Sequence, residues 1–292
     1  MIRQQIVPKY TPLDNTLIID GKYLAYRTKY SRGNNLSFKG INTGLFYGFF
    51  NTLKSVAKRF NPINTIIMWD SNSKNSIRKT QFEGYKQRKK NITPEELNEI
   101  IEFNKAYEEL IEYCDTLGFA SHILEGYEAD DLIALWVNKF NNCTNVIITK
   151  DEDIYQCIKE NTFIFDPDNK IKKDLKWFIK NYGIEPKNWK MVKGIGGCKS
   201  DTVPGVKNIG EKRAIEYILG KASDKIKEKI ENHSEDILFY LSLVSLPHPT
   251  LYNYDLKFKT TKINMDKFFE FCQFFGLKKF IEEIYDFETY FS

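Results

Sequence analysis

Five short apolar runs, each rich in β-branched or aromatic residues and bounded by turn formers, set the strongest limit on the fold: TLIID (16–20), NTIIMWD (64–70), FASHIL (119–124), NVIIT (145–149) and NTFIF (161–165). Runs this short and this continuously apolar read as strands buried on both faces. Residues 43–60, 93–114 and 128–140 place apolar side chains three and four apart, which predicts helices between the strands. Strands alternating with helices imply an α/β fold with a mostly parallel central sheet flanked by helices. After about Trp177 the strand signals fade, and 210–219, 234–246 and 265–276 read as helices of a smaller C-terminal region, with a soft boundary near residue 180.

With 42% hydrophobic and 15% aromatic residues the chain has ample material for a core, which argues against wholesale disorder. No apolar run approaches the roughly 18 residues of a membrane span, and the first residues break at prolines before any signal-like stretch. A cytoplasmic protein away from membranes is therefore expected, in a host cell if the source is a phage. Cys114, Cys143, Cys157, Cys198 and Cys272 are odd in number and form no C-x-x-C pair, so reduced thiols are expected. His122, His233 and His248 have no zinc or nucleophile-partner spacing. Any catalysis must rest on carboxylates and lysines.

The acids fall where they matter. In a parallel sheet the carboxyl ends of the strands share one edge and converge on a crevice. Asp20 ends the first run, Asp70 the second, and Asp151 and Asp153 follow the fourth. Glu128, Asp130 and Asp131 open the helix after the third run, where the helix dipole tolerates negative charge. Taken singly, such acids are turn formers or helix caps. Seven of them aimed at one edge would repel one another, so hard divalent cations with oxygen ligands, Mg²⁺ or Mn²⁺, are the natural occupants.

Charge is also segregated. Residues 74–90 hold seven Lys or Arg against Glu83, followed by an acidic helix expected to start with Thr93 as N-cap and Pro94 at its first position. A basic block near clustered acids points to a polyanion held near metal, although such runs are often just solvated faces.

Five blocks, IIDGKYLAYR, MWDSNSKNSIR with EGYK, EGYEADDLIA, ITKDEDIYQ and SDTVPGVKNIGEKRA, occur in the order and spacing of the bacterial and phage 5′-nucleases. The chain resembles this family, which includes flap endonucleases and the 5′ to 3′ exonuclease domain of DNA polymerase I, over roughly residues 16–220. The resemblance implies a PIN-like catalytic domain over 1–180, with a basic helical arch near 71–112. It also implies a helical DNA-binding region over 181–292 containing a helix-three-turn-helix motif.

Position by position, Asp20, Asp70, Glu128 and Asp130 look like the family's first metal cluster, with Asp131 beside them. Asp151, Asp153 and Asp201 look like the second. One family aspartate is replaced by Cys198, a soft ligand for Mg²⁺, so the second cation is expected to bind weakly. Asp130 and Asp153 are candidate catalytic residues, together with Lys86 for transition-state contact and Arg78 as a fork for a non-bridging phosphate oxygen. Tyr85 is expected to stack on a terminal base. Arg88 and Lys89 lie in the run expected to attract the DNA backbone. Gly205 and Gly210 permit close phosphate approach, while Lys207, Lys212 and Arg213 supply counterion release. A monovalent cation such as K⁺ is implied at the carbonyls of Val203, Val206 and Ile209.

The activity implied is a structure-specific 5′-nuclease, flap endonuclease and 5′ to 3′ exonuclease, working with two metal ions and leaving 5′-phosphates. The partners implied are DNA with 5′ flaps, nicks or free ends, and replication proteins; a monomer is expected. One alternative is a DNA-structure-binding protein that has weakened or lost nuclease activity through Cys198. Another, an RNase of the PIN class, is disfavoured by the basic arch and the helix-turn-helix block.

Overall fold

The computed structural model describes residues 15–29, 36–71, 75–87 and 92–291. All five predicted strands form: β1 (Asn15–Asp20), then, beyond a small ribbon of β2 (Ser37–Phe38) and β3 (Ile41–Asn42), β4 (Asn64–Met68), β5 (Ala120–His122), β6 (Thr144–Ile148) and β7 (Thr162–Asp166). They pair in parallel in the order β5-β4-β1-β6-β7, with β8 (Ile171–Lys173) antiparallel at the β7 edge. The ribbon and β8 escaped the sequence reading because two or three residues are too few to show a period of two. Strand β5 is shorter than FASHIL suggested, and Ile123 beyond it is exposed.

The chain runs from β1 outward through β4 and β5, then returns to place β6 on the other side of β1. This reversal opens a crevice at the carboxyl ends of β4, β1 and β6. Alternation along the strands divides the core in two. Leu17, Ile19, Ile67 and Ile148 face a layer built by α1 (Gly21–Lys29), α2 (Gly44–Phe60), α4 (Pro94–Thr116) and three terminal helices, α11 (Met265–Phe274), α12 (Lys278–Glu282) and α13 (Ile284–Phe291). Ile18, Ile66, Ile147 and Ile164 face α5 (Ala129–Lys139), α6 (Leu175–Tyr182) and α7 (Trp189–Gly196), with α8 (Glu211–Ile218), α9 (Asp224–Glu231) and α10 (Ser234–Val244) beyond. Helices from beyond residue 180 thus contribute to both cores.

Thr93 caps α4 as the sequence predicted. Its hydroxyl accepts from the Glu96 amide at 3.2 Å, and the Glu96 carboxylate accepts from the Thr93 amide at 3.0 Å. Only Phe103, Leu110 and Cys114 of this helix are fully buried, so its acidic side meets solvent. A short helix, α3 (Ile77–Gln81), precedes it. All five cysteines are buried, and none of them is joined in a disulfide. No described helix is long and apolar enough to cross a membrane.

Candidate metal centre

At the crevice lies a cavity of about 810 Å³ lined by Asp20, Asp70, Asp130, Asp151 and Asp201 among others. Asp20 is the last residue of β1, and its carboxylate accepts from the Tyr23 amide at 2.9 Å and from the Thr149 hydroxyl at 2.8 Å. Burial pushes Asp20 up to about 7, with nearby Asp70 and Asp151 adding to the rise. Burial and Asp153 raise Asp151 to about 6, and burial with Asp151, Asp20 and Asp70 holds Asp130 well above the usual carboxylate range. Asp70 goes the other way. Burial alone would raise it, but Lys22 at 2.6 Å and the charge of Lys86 outweigh that and lower it.

A second group stands beside this cavity. Among the described residues, the three potential ligand atoms that lie within 4.8 Å of one another belong to Asp153, Cys198 and Asp201. The Cys198 thiol donates to Asp153 at 3.3 Å and lies 2.8 Å from the Ser200 hydroxyl. Burial, then Asp201 and Asp153, push this thiol up to about 12. Oxygen donors held against one another in a buried pocket fit hard divalent cations; the thiol is the one soft donor in the set.

Glu128 and Asp131 share the start of α5 but not a role. Each side chain accepts from the other's backbone in a capping box. Glu128 turns toward Lys86, 2.6 Å away, and accepts from the Tyr85 hydroxyl at 3.0 Å. Asp131 is fully buried, with both oxygens taken by the Arg78 guanidinium at 2.6 and 2.8 Å and one also accepting from the His248 amide. These contacts spend the acceptor sites of Asp131, expected to stand beside the metal cluster, on scaffold.

Two residues expected to contact DNA are likewise engaged within the fold. Arg78 is 3% exposed, and besides Asp131 it donates to the carbonyls of Leu243 and Ser245, so no fork is left for a phosphate. Tyr85 is 1% exposed, packed with Cys198, Val203 and Leu243, so its ring has no free face for a base. Lys86, by contrast, keeps 37% of its side chain exposed and lines the cavity, 3.5 Å from Asp201 as well as beside Glu128. Although burial opposes it, Glu128, Asp201 and Asp70 raise its pKa, so it stays charged. Its backbone is left-handed at φ +54°, held by its amide donating to the Asp201 carbonyl at 3.0 Å. Arg88 and Lys89 lie outside the described residues.

Between α7 and α8 the chain turns tightly. Gly205 has φ +63°, and an added Cβ would sit 2.3 Å from the Gly197 amide nitrogen, so only glycine fits. Gly210, the N-cap of α8, has open space around the same position, so packing does not demand glycine there. Lys207, Lys212 and Arg213 are exposed nearby. Val203, Val206 and Ile209 are buried, and the Val203 and Val206 carbonyls accept from the Cys198 and Ile209 amides.

Sequence reasoning missed several residues of the site. Lys22 pairs with Asp70, Thr149 fixes Asp20, and Lys193 lies 3.0 Å from Asp153. Lys22 was findable, since a residue two past a strand-end acid in a following helix shares its edge. Lys193 was not, because α7 carries no other mark of the crevice.

Comparison with known proteins bears on the whole arrangement. The chain is 29% identical over 281 residues to a 5′-3′ exonuclease of Aquifex aeolicus, covering 91% of this chain and 94% of that one. It is 29% identical over 255 residues to a thermostable DNA polymerase I of Thermus thermophilus, covering 82% of this chain but 30% of the polymerase, so it spans about a third of such relatives. The fold is shared with bacteriophage T5 flap endonuclease in complex with DNA and metal ions, at TM-score 0.67 and 22% identity, over 93% of this chain and 98% of that one. Residues 15–183 match the family model described as 5′-3′ exonuclease, N-terminal resolvase-like domain. That span starts at β1 and ends just past α6, taking in the entire six-stranded sheet, and the chain therefore belongs to the 5′-3′ exonuclease family.

Proposed function

We propose that this chain is a structure-specific 5′-nuclease, acting as flap endonuclease and 5′ to 3′ exonuclease on DNA. The observation that carries this reading is the gathering of Asp20, Asp70, Asp130, Asp151 and Asp201 around one cavity that also holds Lys22 and Lys86. Asp20, Asp70, Asp130 and Glu128 are the residues to hold one divalent cation, and Asp151, Asp153 and Asp201 a second, more weakly bound beside Cys198. Such cations, Mg²⁺ or Mn²⁺, supply Lewis-acid charge that activates water and stabilises the leaving 3′-oxygen, giving 5′-phosphate products.

The chain's own side chains do the rest. Lys86, charged and half-exposed, turns its ammonium to a phosphate oxygen and offsets charge that develops there. Arg78 and Asp131 fix the start of α5, and with it Glu128 and Asp130. Tyr23 and Tyr26 line the cavity and are placed to meet a base where Tyr85 is not. The turn between α7 and α8 serves as the helix-three-turn-helix grip. Lys207, Lys212 and Arg213 face phosphates there, with K⁺ on the carbonyls of Val203, Val206 and Ile209. Contacts to phosphates rather than bases make recognition one of structure, not sequence. The T5 flap endonuclease complex supports both ligand classes.

A 5′-flap duplex incubated with the purified chain and Mg²⁺ or Mn²⁺ tests this, with Asp153→Asn as the control against contaminating nuclease. Cleavage lost in the control is expected. Binding without cleavage that depends on Asp153 would instead identify a DNA-structure-binding protein. Cys198→Asp, titrated with Mg²⁺ in the same assay, should lower the Mg²⁺ concentration required.

A further inference from the structure

A second cavity, of about 460 Å³, is lined by Arg27 and Thr28 of α1, the helix whose Tyr23 and Tyr26 line the first, and it carries cations without carboxylates. One face of α2 forms most of it, with α1 and the segment that follows β7 completing the walls. Three cations line it, Arg27, Arg59 and Lys170, and no carboxylate is among its lining residues. Neutral donors come from Tyr47, Asn51 and Ser55. Asn51 accepts from Lys279 at 3.3 Å through its oxygen, which leaves its amide nitrogen to donate. The floor is apolar, made by Val56 and Phe165, and the Arg59 guanidinium lies 4.8 Å from the Phe165 ring centre.

Arg27 is braced rather than free: it donates to Asp168 and, at 2.8 Å, to Thr52. Asp168 also pairs with Lys150 at 2.7 Å, and Lys150 lines the acidic cavity. The two cavities therefore share a wall, acid-lined on one side and cation-lined on the other. A pocket within the roughly 300–1,000 Å³ of small-molecule sites, with cations beside hydroxyls and a side-chain amide, suits a phosphate joined to a group rich in hydrogen-bonding atoms, as in a nucleotide.

We propose that this cavity is a second nucleotide site, taking a nucleoside 5′-monophosphate unit either as a free nucleotide or as part of a strand. Arg59 and Lys170 hold the phosphate, and Tyr47, Asn51 and Ser55 meet the sugar and base. The strand source rests on the nuclease reading; the site itself does not.

Binding of thymidine 5′-monophosphate and of a 5′-phosphorylated tetrathymidylate to the full chain is measured in EDTA by calorimetry and NMR. An Arg59→Glu/Lys170→Glu variant is expected to lose about tenfold or more in affinity for the mononucleotide, with binding to the wild type falling steeply with salt. Ser55→Trp, which fills the cavity without changing charge, should do the same, and unchanged melting curves confirm that both variants fold. Tighter binding of the tetranucleotide, also lost in the variants, identifies a strand as the source; equal binding identifies a free nucleotide. Undetectable binding to the wild type at millimolar nucleotide, or equal affinity in wild type and both variants, overturns the proposal. Flap cleavage by the wild type is scored separately, so failure of this site and failure of the nuclease reading are told apart.

Discussion

Arg78 and Lys86 stand on opposite sides of the same carboxylate and do opposite things. Glu128 has one oxygen 3.7 Å from Arg78 and the other 2.6 Å from Lys86. Arg78 is 3% exposed and meets four fixed acceptors: two oxygens of Asp131 and the carbonyls of Leu243 and Ser245. Lys86 pairs with two carboxylates, Glu128 and Asp201, lines the cavity together with Asp201, and keeps 37% of its side chain exposed. A basic cluster in a sequence is thus not one function. A cation whose donors are all matched by scaffold acceptors holds the site together, and one whose partners face the crevice is available to substrate.

Replacing each cation in turn sharpens this contrast. Arg78→Ala leaves the buried Asp131 carboxylate without its counter-charge and should cost about 3–5 kcal/mol of unfolding free energy, measured by urea denaturation. Stability like the wild type's would break the comparison. Lys86→Ala should fold normally yet lower kcat for flap cleavage by about 10²–10³-fold, with a smaller change in KM.

Acidity probes the other half of the cavity. Asp20 and Asp151, raised to about 7 and about 6, hold protons in the folded chain that an unfolded carboxylate near 4 releases. Their contribution to stability is therefore present at low pH and lost as pH rises through about 4 to 7. In EDTA the melting temperature of the wild type should gain on that of Asp20→Asn as pH falls from 8 to 5.5. His122 and His248, both lowered by burial, work in the other direction in each protein and cancel in the difference. A pH-independent difference would show that Asp20 is not held protonated. The smallest effect is expected from Tyr85→Phe, which deletes one hydrogen bond to Glu128 and should cost about 1 kcal/mol.

The contrast also explains what the sequence could reveal. Asp20, Asp70 and Asp151 were legible because each follows an apolar run, and a run that short implies a strand with a defined end. The Thr93 cap and the acidic helix were legible for a similarly local reason. The acceptors of Arg78 at Leu243 and Ser245 were not legible, because they lie more than 160 residues away and no local pattern announces them. The burial of Tyr85 was not legible either, since its packing among Val203 and Leu243 is decided by residues more than a hundred positions further along the sequence. The cationic cavity was invisible because its residues are scattered over α1, α2 and the β7 edge and look like ordinary solvated positions in each.

The terminal helices carry a consequence for biosynthesis. Phe268, Phe271, Phe275, Phe280 and Phe287 pack into the same layer as Phe46, Phe49 and Phe50 of α2. A nascent polypeptide stalled before Met265 would leave that aromatic wall wet, so the layer around α2 stays sticky until residues 265–291 emerge from the ribosome. Docking of residues 265–291, more than the formation of the sheet, is then the step at which that aromatic surface is covered.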